Sequence, residues 1–424
     1  MTAATSTPAL ESPGATAICR SCGNSLRHPL VDLGMSPLAA SCLRAEQLDQ
    51  AEPCYPLQVW ICDECFLVQL PRAVNGKHPP GPYACFSSSS DSWLEHARRY
   101  TDRAIEELRL TPASSVVEVG SNDGYLLQYF VQRGIPVLGI EAAANVARAA
   151  IARGVPTRIE RLSQDTARAL RTTGVQADLL IVNNVIAEVH DVNDFVAGLK
   201  LLMAPRGVMT MEFPHLMRLI AGNQFDAIHH ERVSYFSLLA AAYVLECNGL
   251  TIYDVDELDT HGGSLRIFAC HSEDPLRPVT PRVDTLLARE RQVGVGTLNY
   301  YAQFPDRVRE TKHKLLSFLR HARRSGKQVA AYGTPRSGNT LLNYCGIDTG
   351  FLDYTVDTDP DRQGRYLPGS HIPIHPPERI GRTRPHYVLI LPWHLQTEIV
   401  PQLDYIQEWG GRCVIAIPEV HLVA

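Results

Sequence analysis

From residue 114 to about residue 275, short β-branched and aliphatic runs alternate with amphipathic segments: SSVVEVG, YLLQYFVQRG, PVLGIE, ANVARAAIARG, ADLLIVNN and GVMTMEF. That alternation predicts a parallel sheet wrapped by helices. After about residue 276 the cycle pauses in a helical stretch, LLARERQVGVG through VRETKHKLLSFLRHARRSG, and then resumes in KQVAAYG, DYTVD, HYVLILP and CVIAIPE. Two open α/β domains joined by helices are expected, covering residues 73–275 and 276–424. A length of 424 residues leaves room for a third, smaller unit in front, since domains average about 150 residues.

That unit is marked by cysteines. Cys19-x-x-Cys22 and Cys62-x-x-Cys65 form two knuckles, each able to place two thiolates on one zinc ion. Four sulfurs leave no open position, so the site is read as structural, and residues 17–72 as a module closed by metal rather than by a core. The other cysteines of the 11 lack such spacing and read as core filler. Residues 1–16 are small and polar and predict a disordered tail. The segment WLEHARRYTDRAIEEL predicts a helical connector into the first α/β domain.

A formal charge of −5 gives no global field for nucleic acid or anionic membrane. No run of eighteen apolar residues exists and the first residues lack a signal-peptide pattern, so a cytoplasmic protein is expected. With no sustained heptad, a monomer is the plainer expectation.

The segment Glu118-Val-Gly120-Ser-Asn122-Asp123-Gly124 follows an apolar strand and opens a helix, so the chain turns tightly at a helix N-terminus. Glu141 ends the next strand about twenty residues on, within reach of a ribose diol. A dinucleotide fold shares this geometry, but E-x-G-x-x-x-G in place of G-x-G-x-x-G favours the methyltransferase variant, whose ligand has no pyrophosphate to cradle. Downstream, His229, His230, Glu231 and Arg232 form a dense polar cluster between apolar flanks, as the lining of a cleft would.

The blocks GSNDGYLLQYF, NNVIAEVHDVNDF, EFPHLM, FDAIHHERVSYFSL, THGGSLRIF, YGTPRSGNTLLNYCGI and QGRYLPGSHIPI occur in order over nearly the whole chain. Together with the zinc cysteines they resemble the S-adenosylmethionine-dependent C-methyltransferases that build branched TDP-deoxysugars for antibiotics. The resemblance implies a small zinc module, a central Rossmann-like cofactor domain that includes Asn183 and Asn184, and a Rossmann-like C-terminal domain. The last helps to hold a TDP-linked keto-deoxysugar in the cleft. It also implies that Tyr83 reaches the sugar. The chemistry would be removal of the C3 proton of a 4-keto sugar, followed by methyl transfer to the enolate.

The chain departs from that pattern at its polar centre. Where the family usually reads Tyr-His-Glu-His, with the last histidine the proposed base, this chain has His229, His230, Glu231 and Arg232; where the family has Ala-His-Val, it has Glu188. One reading is that His229, His230 or Glu188 takes over proton abstraction while Arg232 holds the enolate oxygen. A second is reduction of the ketone by NADPH with Tyr83 as proton donor, alone or with methylation; a third is a non-catalytic binding relic. In the C-terminal half, Gly333, Gly338, Asn339 and Thr340 match the family. Its usual lysine falls on Ser337, and Arg336 offers a cation for phosphate. His261 is a candidate sugar contact, whereas Trp393 reads as packing.

Overall fold

The computed structural model describes residues 17–40, 42–71 and 86–423, so the expected tail and Tyr83 lie outside the described residues. Among the described residues the strands form three sheets. The central one has seven strands, in spatial order Leu250–Leu258, Ser264–His271, Met203–Pro214, Ala177–Asn183, Val116–Val119, Val137–Glu141 and Thr157–Ile159. Neighbours from Met203–Pro214 to Thr157–Ile159 run parallel, and the two other pairings are antiparallel. From Val116–Val119 the chain fills one side of the sheet, then returns to place Ala177–Asn183 on the other. The carboxyl ends of those two strands are therefore a topological switch point, where a crevice opens.

The C-terminal sheet repeats the plan with six strands: Ile374–His375, Thr355–Val356, Val329–Tyr332, Tyr387–Ile390, Arg412–Ile415 and His421–Val423. All pairs are parallel except the last. The helices Pro281–Val293 and Phe304–Arg324 connect the domains. Val283 and Leu286 are buried in the central core, so that core runs past residue 275.

The small module is not closed by cysteines alone, which corrects the expectation from its length. Its four-stranded antiparallel sheet comprises His28–Pro37, Cys54–Ile61, Val68–Gln69 and, from the central domain, Ser234–Tyr235. Cys19, Cys62, Leu26 and Leu67 join the central core, while Leu30, Leu33, Leu57 and Val59 join the core that runs into the C-terminal domain. The module is a wedge packed on both sides.

The expected connector is the helix Asp91–Leu108, whose N-terminus is capped by the Ser90 hydroxyl accepting from the Trp93 amide at 3.3 Å. It buries Ala97, Tyr100, Thr101 and Ala104, an i, i+3, i+4, i+7 face. That docking places Trp93 and His96 beside the crevice, so the helix is a wall of the site as well as a connection. Among the described residues no helix is long and apolar enough to cross a membrane.

Gly120 makes the sharp turn at φ 73°, and a Cβ there would lie 2.3 Å from Val185 Cγ2. Gly120→Ala combines left-handed strain with that clash and is expected to destabilise the chain by about 1–3 kcal/mol. A lowered thermal melting temperature would register it; an unchanged one would contradict the close approach.

Candidate functional site

The four Sγ atoms of Cys19, Cys22, Cys62 and Cys65 all lie within 4.8 Å of one another. Cys19 and Cys65 are 3.5 Å apart, as are Cys22 and Cys62. Zinc–sulfur bonds of about 2.3 Å in a tetrahedron give sulfur separations of about 3.8 Å, so the donor set fits zinc with no position left for substrate. The Gln69 side-chain amide donates to Cys19 Sγ at 3.1 Å, and its carbonyl accepts from the Arg20 amide at 2.9 Å. This holds the first knuckle to the strand that follows the second.

At the switch point, the turn after Val116–Val119 is closed by Glu141. Its carboxylate accepts from the amides of Asn122 at 3.0 Å and Ala143 at 2.7 Å. Asn122, itself left-handed at φ 49°, accepts with Oδ1 from the amides of Ser87 and Asp123. Asp123 pairs with Arg153 at 2.6 Å and takes the Ser88 hydroxyl. Glu118 is different: it is fully buried, and neither carboxylate oxygen has a hydrogen-bond partner among the described residues. Burial, with Glu141 and Asp123 nearby, raises its pKa well above the usual range. The Oδ1 atoms of Asp123, Asn183 and Asn184 are also buried and unpartnered. A pocket lined by unmet acceptors and three acids suits a cationic ligand bearing N–H and O–H donors. The sulfonium, amine and ribose hydroxyls of S-adenosylmethionine are such groups.

The wall of this pocket continues into a cleft. Trp93 stacks on His96 and Tyr125, with centroids at 4.9 and 6.2 Å, and lies 5.3 Å from His261. His96 meets Glu212 at 3.0 Å, and Glu212 also accepts from Arg266 at 2.7 Å and the Thr260 hydroxyl at 2.9 Å. Burial would raise the Glu212 carboxyl, but His96 and Arg266 outweigh it and hold the pKa down to about 2. None of His96, Glu212 or Arg266 was singled out from sequence. They stand on three separate elements, and although Glu212 lies within EFPHLM and Arg266 within THGGSLRIF, no spacing joins the three.

Beyond Trp93 the polar cluster assembles. His229 Nδ1 meets Glu231 Oε2 at 2.9 Å, and Glu231 Oε1 accepts from the Ala40 amide of the zinc module at 3.3 Å. Burial pulls His229 down to about 4 against the opposing pull of Glu231, so the imidazole is neutral near pH 7. Arg232 is enclosed by protein and donates to the Ala227 carbonyl at 3.4 Å. Its charge acts on Glu188, Asp226, His229, His261 and His394 alike, which places it at the electrostatic centre of the cleft. Glu188 pairs with Arg336 at 3.3 Å; its side chain is 40% exposed, yet surrounding protein raises its pKa, as expected for a group on a deep cleft wall.

His230 does not join this cluster. Its Nε2 lies 3.2 Å from the Tyr55 carbonyl of the zinc module, which corrects the expectation that all four residues of the segment line the cleft. The segment turns at His230 and Glu231, where the Arg232 amide donates to the His229 carbonyl at 3.0 Å, and the turn sends the two imidazoles to different partners. Arg336, expected to meet phosphate, reaches across to Glu188 from the first turn of the helix Arg336–Cys345. Asn339, on that helix, is buried with neither amide atom partnered among the described residues. Trp393 is more than packing: its indole N–H donates to Asp226 Oδ2 at 2.7 Å. Burial raises Asp226 to about 6 despite that bond.

Comparisons with known proteins follow the same division. A zinc binding domain model matches residues 19–78, a methyltransferase domain model residues 93–255, and a C-methyltransferase C-terminal domain model residues 259–418. The C-methyltransferase NovU of Streptomyces niveus is 34% identical over 406 residues, 96% of either chain. Among solved structures, the magnesium protoporphyrin IX methyltransferase of Synechocystis PCC 6803 with bound SAM is 16% identical over 43% of this chain and 82% of its own, at a TM-score of 0.33. The 1,6-didemethyltoxoflavin-N1-methyltransferase of Burkholderia thailandensis is 17% identical over 44% and 84%, also at 0.33.

The zinc cluster generates a direct expectation. The purified chain should carry about one zinc ion, measurable by elemental mass spectrometry, and Cys62→Ser should lower both that content and the melting temperature. Full zinc content in Cys62→Ser would contradict the four-sulfur site.

Proposed function

Because the chain belongs to the S-adenosylmethionine-dependent C-methyltransferase family, we propose that it methylates a TDP-4-keto-deoxysugar at C3, next to the ketone, through an enolate. The donor is held by Glu118, Gly120, Asn122, Gly124, Glu141, Asn183 and Asn184 in this reading, with Asp123 bracing the turn. When bound, S-adenosylmethionine supplies the electrophilic methyl group that the enolate carbon takes.

The observation that carries the proposal is the His229–Glu231 pair beside Arg232 in the cleft. Glu231 holds the Nδ1 side of the ring, leaving Nε2 to take a proton, and the carboxylate stabilises the imidazolium that forms. A carbon acid next to a ketone also needs its developing oxyanion answered. A fixed guanidinium supplies that charge without reorganising. The family's histidine base is thereby replaced by a division of labour, with His229 as base and Arg232 as oxyanion partner. Glu188 and Arg336 neutralise one another on the opposite wall and close the cleft from the C-terminal domain.

Exchange of the sugar's C3 proton with deuterated water, without methyl donor, tests this assignment. Wild type is expected to exchange it, with His229→Ala slower by about 10²–10⁴-fold and Glu231→Gln and Arg232→Met slower as well. Because the base must be unprotonated, the rate should hold as pH falls through 6.5 and decline only as it approaches the depressed pKa of His229, about 4. Unimpaired exchange in His229→Ala would overturn the base assignment, and exchange confined to C5 would move methylation to the other side of the ketone.

A further inference from the structure

His261 and His394 lie in the field of Arg232, with His261 beside Trp93, and no step above uses them. His261 sits in the turn before Ser264–His271, in a left-handed conformation at φ 54°. His394 follows the strand Tyr387–Ile390 of the C-terminal domain. Their ring centroids are 5.9 Å apart. Packing fixes this arrangement. Trp93 stands 5.3 Å from His261, Trp393 stands 5.6 Å from His394, and Trp393 is itself bonded to Asp226. A Cβ on Gly262 would come within 2.6 Å of Trp393, so the turn carrying His261 and the indole beside His394 are in close contact.

Neither imidazole makes a hydrogen bond among the described residues, although both are open to the cleft, His261 exposed and His394 half-buried. Their four ring nitrogens are therefore open to a ligand that enters the cleft. The chemistry of that ligand follows from the surroundings. Unlike His229, neither ring is hydrogen-bonded to a carboxylate, although the charge of Glu212 reaches His261. Enclosure by protein, with Arg232 nearby and each ring close to the other, keeps both neutral. A neutral imidazole offers one donor and one acceptor, the complement of a hydroxyl or a ketone, and has no charge with which to attract phosphate.

We propose that His261 and His394 form a two-imidazole subsite for the neutral oxygens of the sugar ring, with one ring from each α/β domain. It rests on the nucleotide-sugar reading above and extends it: the sugar would bridge the two domains, and the placing of its oxygens would be read by groups that take no part in proton abstraction. They are positioning residues, poorly suited as bases because neither ring has a hydrogen-bonded carboxylate to hold its charged form.

Calorimetric titration of the zinc-loaded chain with three probes tests the subsite: S-adenosylhomocysteine, TDP, and TDP-4-keto-6-deoxyglucose. The readout is the affinity gained when the sugar is added to TDP. In His261→Phe and His394→Phe, which keep a flat ring but lose its nitrogens, that gain should fall by about 3- to 10-fold each, with Kd for TDP and for S-adenosylhomocysteine retained as evidence of an intact fold. An undiminished gain in both variants would overturn the subsite. Loss of S-adenosylhomocysteine binding instead would assign the rings to the donor pocket and overturn it equally. Wild type that binds S-adenosylhomocysteine but neither TDP nor the sugar nucleotide would show that the underlying substrate reading has failed.

Discussion

A guanidinium half-buried in a cleft must be answered by nearby groups, because drawing a charge out of water without a partner is unfavourable. Arg232 is answered only in part. One nitrogen reaches a backbone carbonyl at 3.4 Å, while the closest acids in its field, Glu188 and Asp226, spend their hydrogen bonds on Arg336 and Trp393. Around this cation the imidazoles of His229, His261 and His394 all have lowered pKa values. The cleft is thus a preorganised positive centre ringed by neutral bases and hydrogen-bonding groups. It can receive an oxygen that acquires negative charge more readily than one that carries it from the start.

The zinc module is the mechanical counterpart of that electrostatic centre. Its sheet accepts Ser234–Tyr235 as a fourth strand immediately after Arg232, and it touches the cluster through the Ala40 amide and the Tyr55 carbonyl. The four sulfurs therefore act at a distance from the chemistry. They fix the sheet that fixes the segment from His229 to Arg232.

Much of this was legible in sequence. The alternation of strands and helices gave both α/β domains, the cysteine spacing gave the four-sulfur cluster, and the glycines marked the tight turn after Val116–Val119, because each of these is a local pattern with a fixed period or spacing. What stayed hidden depended on contacts between distant segments. The different partners of His229 and His230 depend on a tight turn packed against the zinc module. The Glu188–Arg336 bridge joins residues 148 apart in sequence. The bond from Trp393 to Asp226 spans 167 and turns a residue that reads as packing into one that ties the domains together. His394 carried no spacing signal, since its neighbour His261 comes from another domain.

In the proposed reaction a carbon beside a sugar ketone receives a methyl group in this cleft. Incubating the zinc-loaded chain with trideuteromethyl S-adenosylmethionine and a panel of TDP-4-keto-deoxysugars, then analysing the sugars by mass spectrometry and NMR, tests it directly. One labelled methyl is expected on C3 of a sugar whose ketone is retained. A sugar that gains two hydrogens with NADPH and no label, or a panel returned unchanged by chain that binds both ligands, would contradict it.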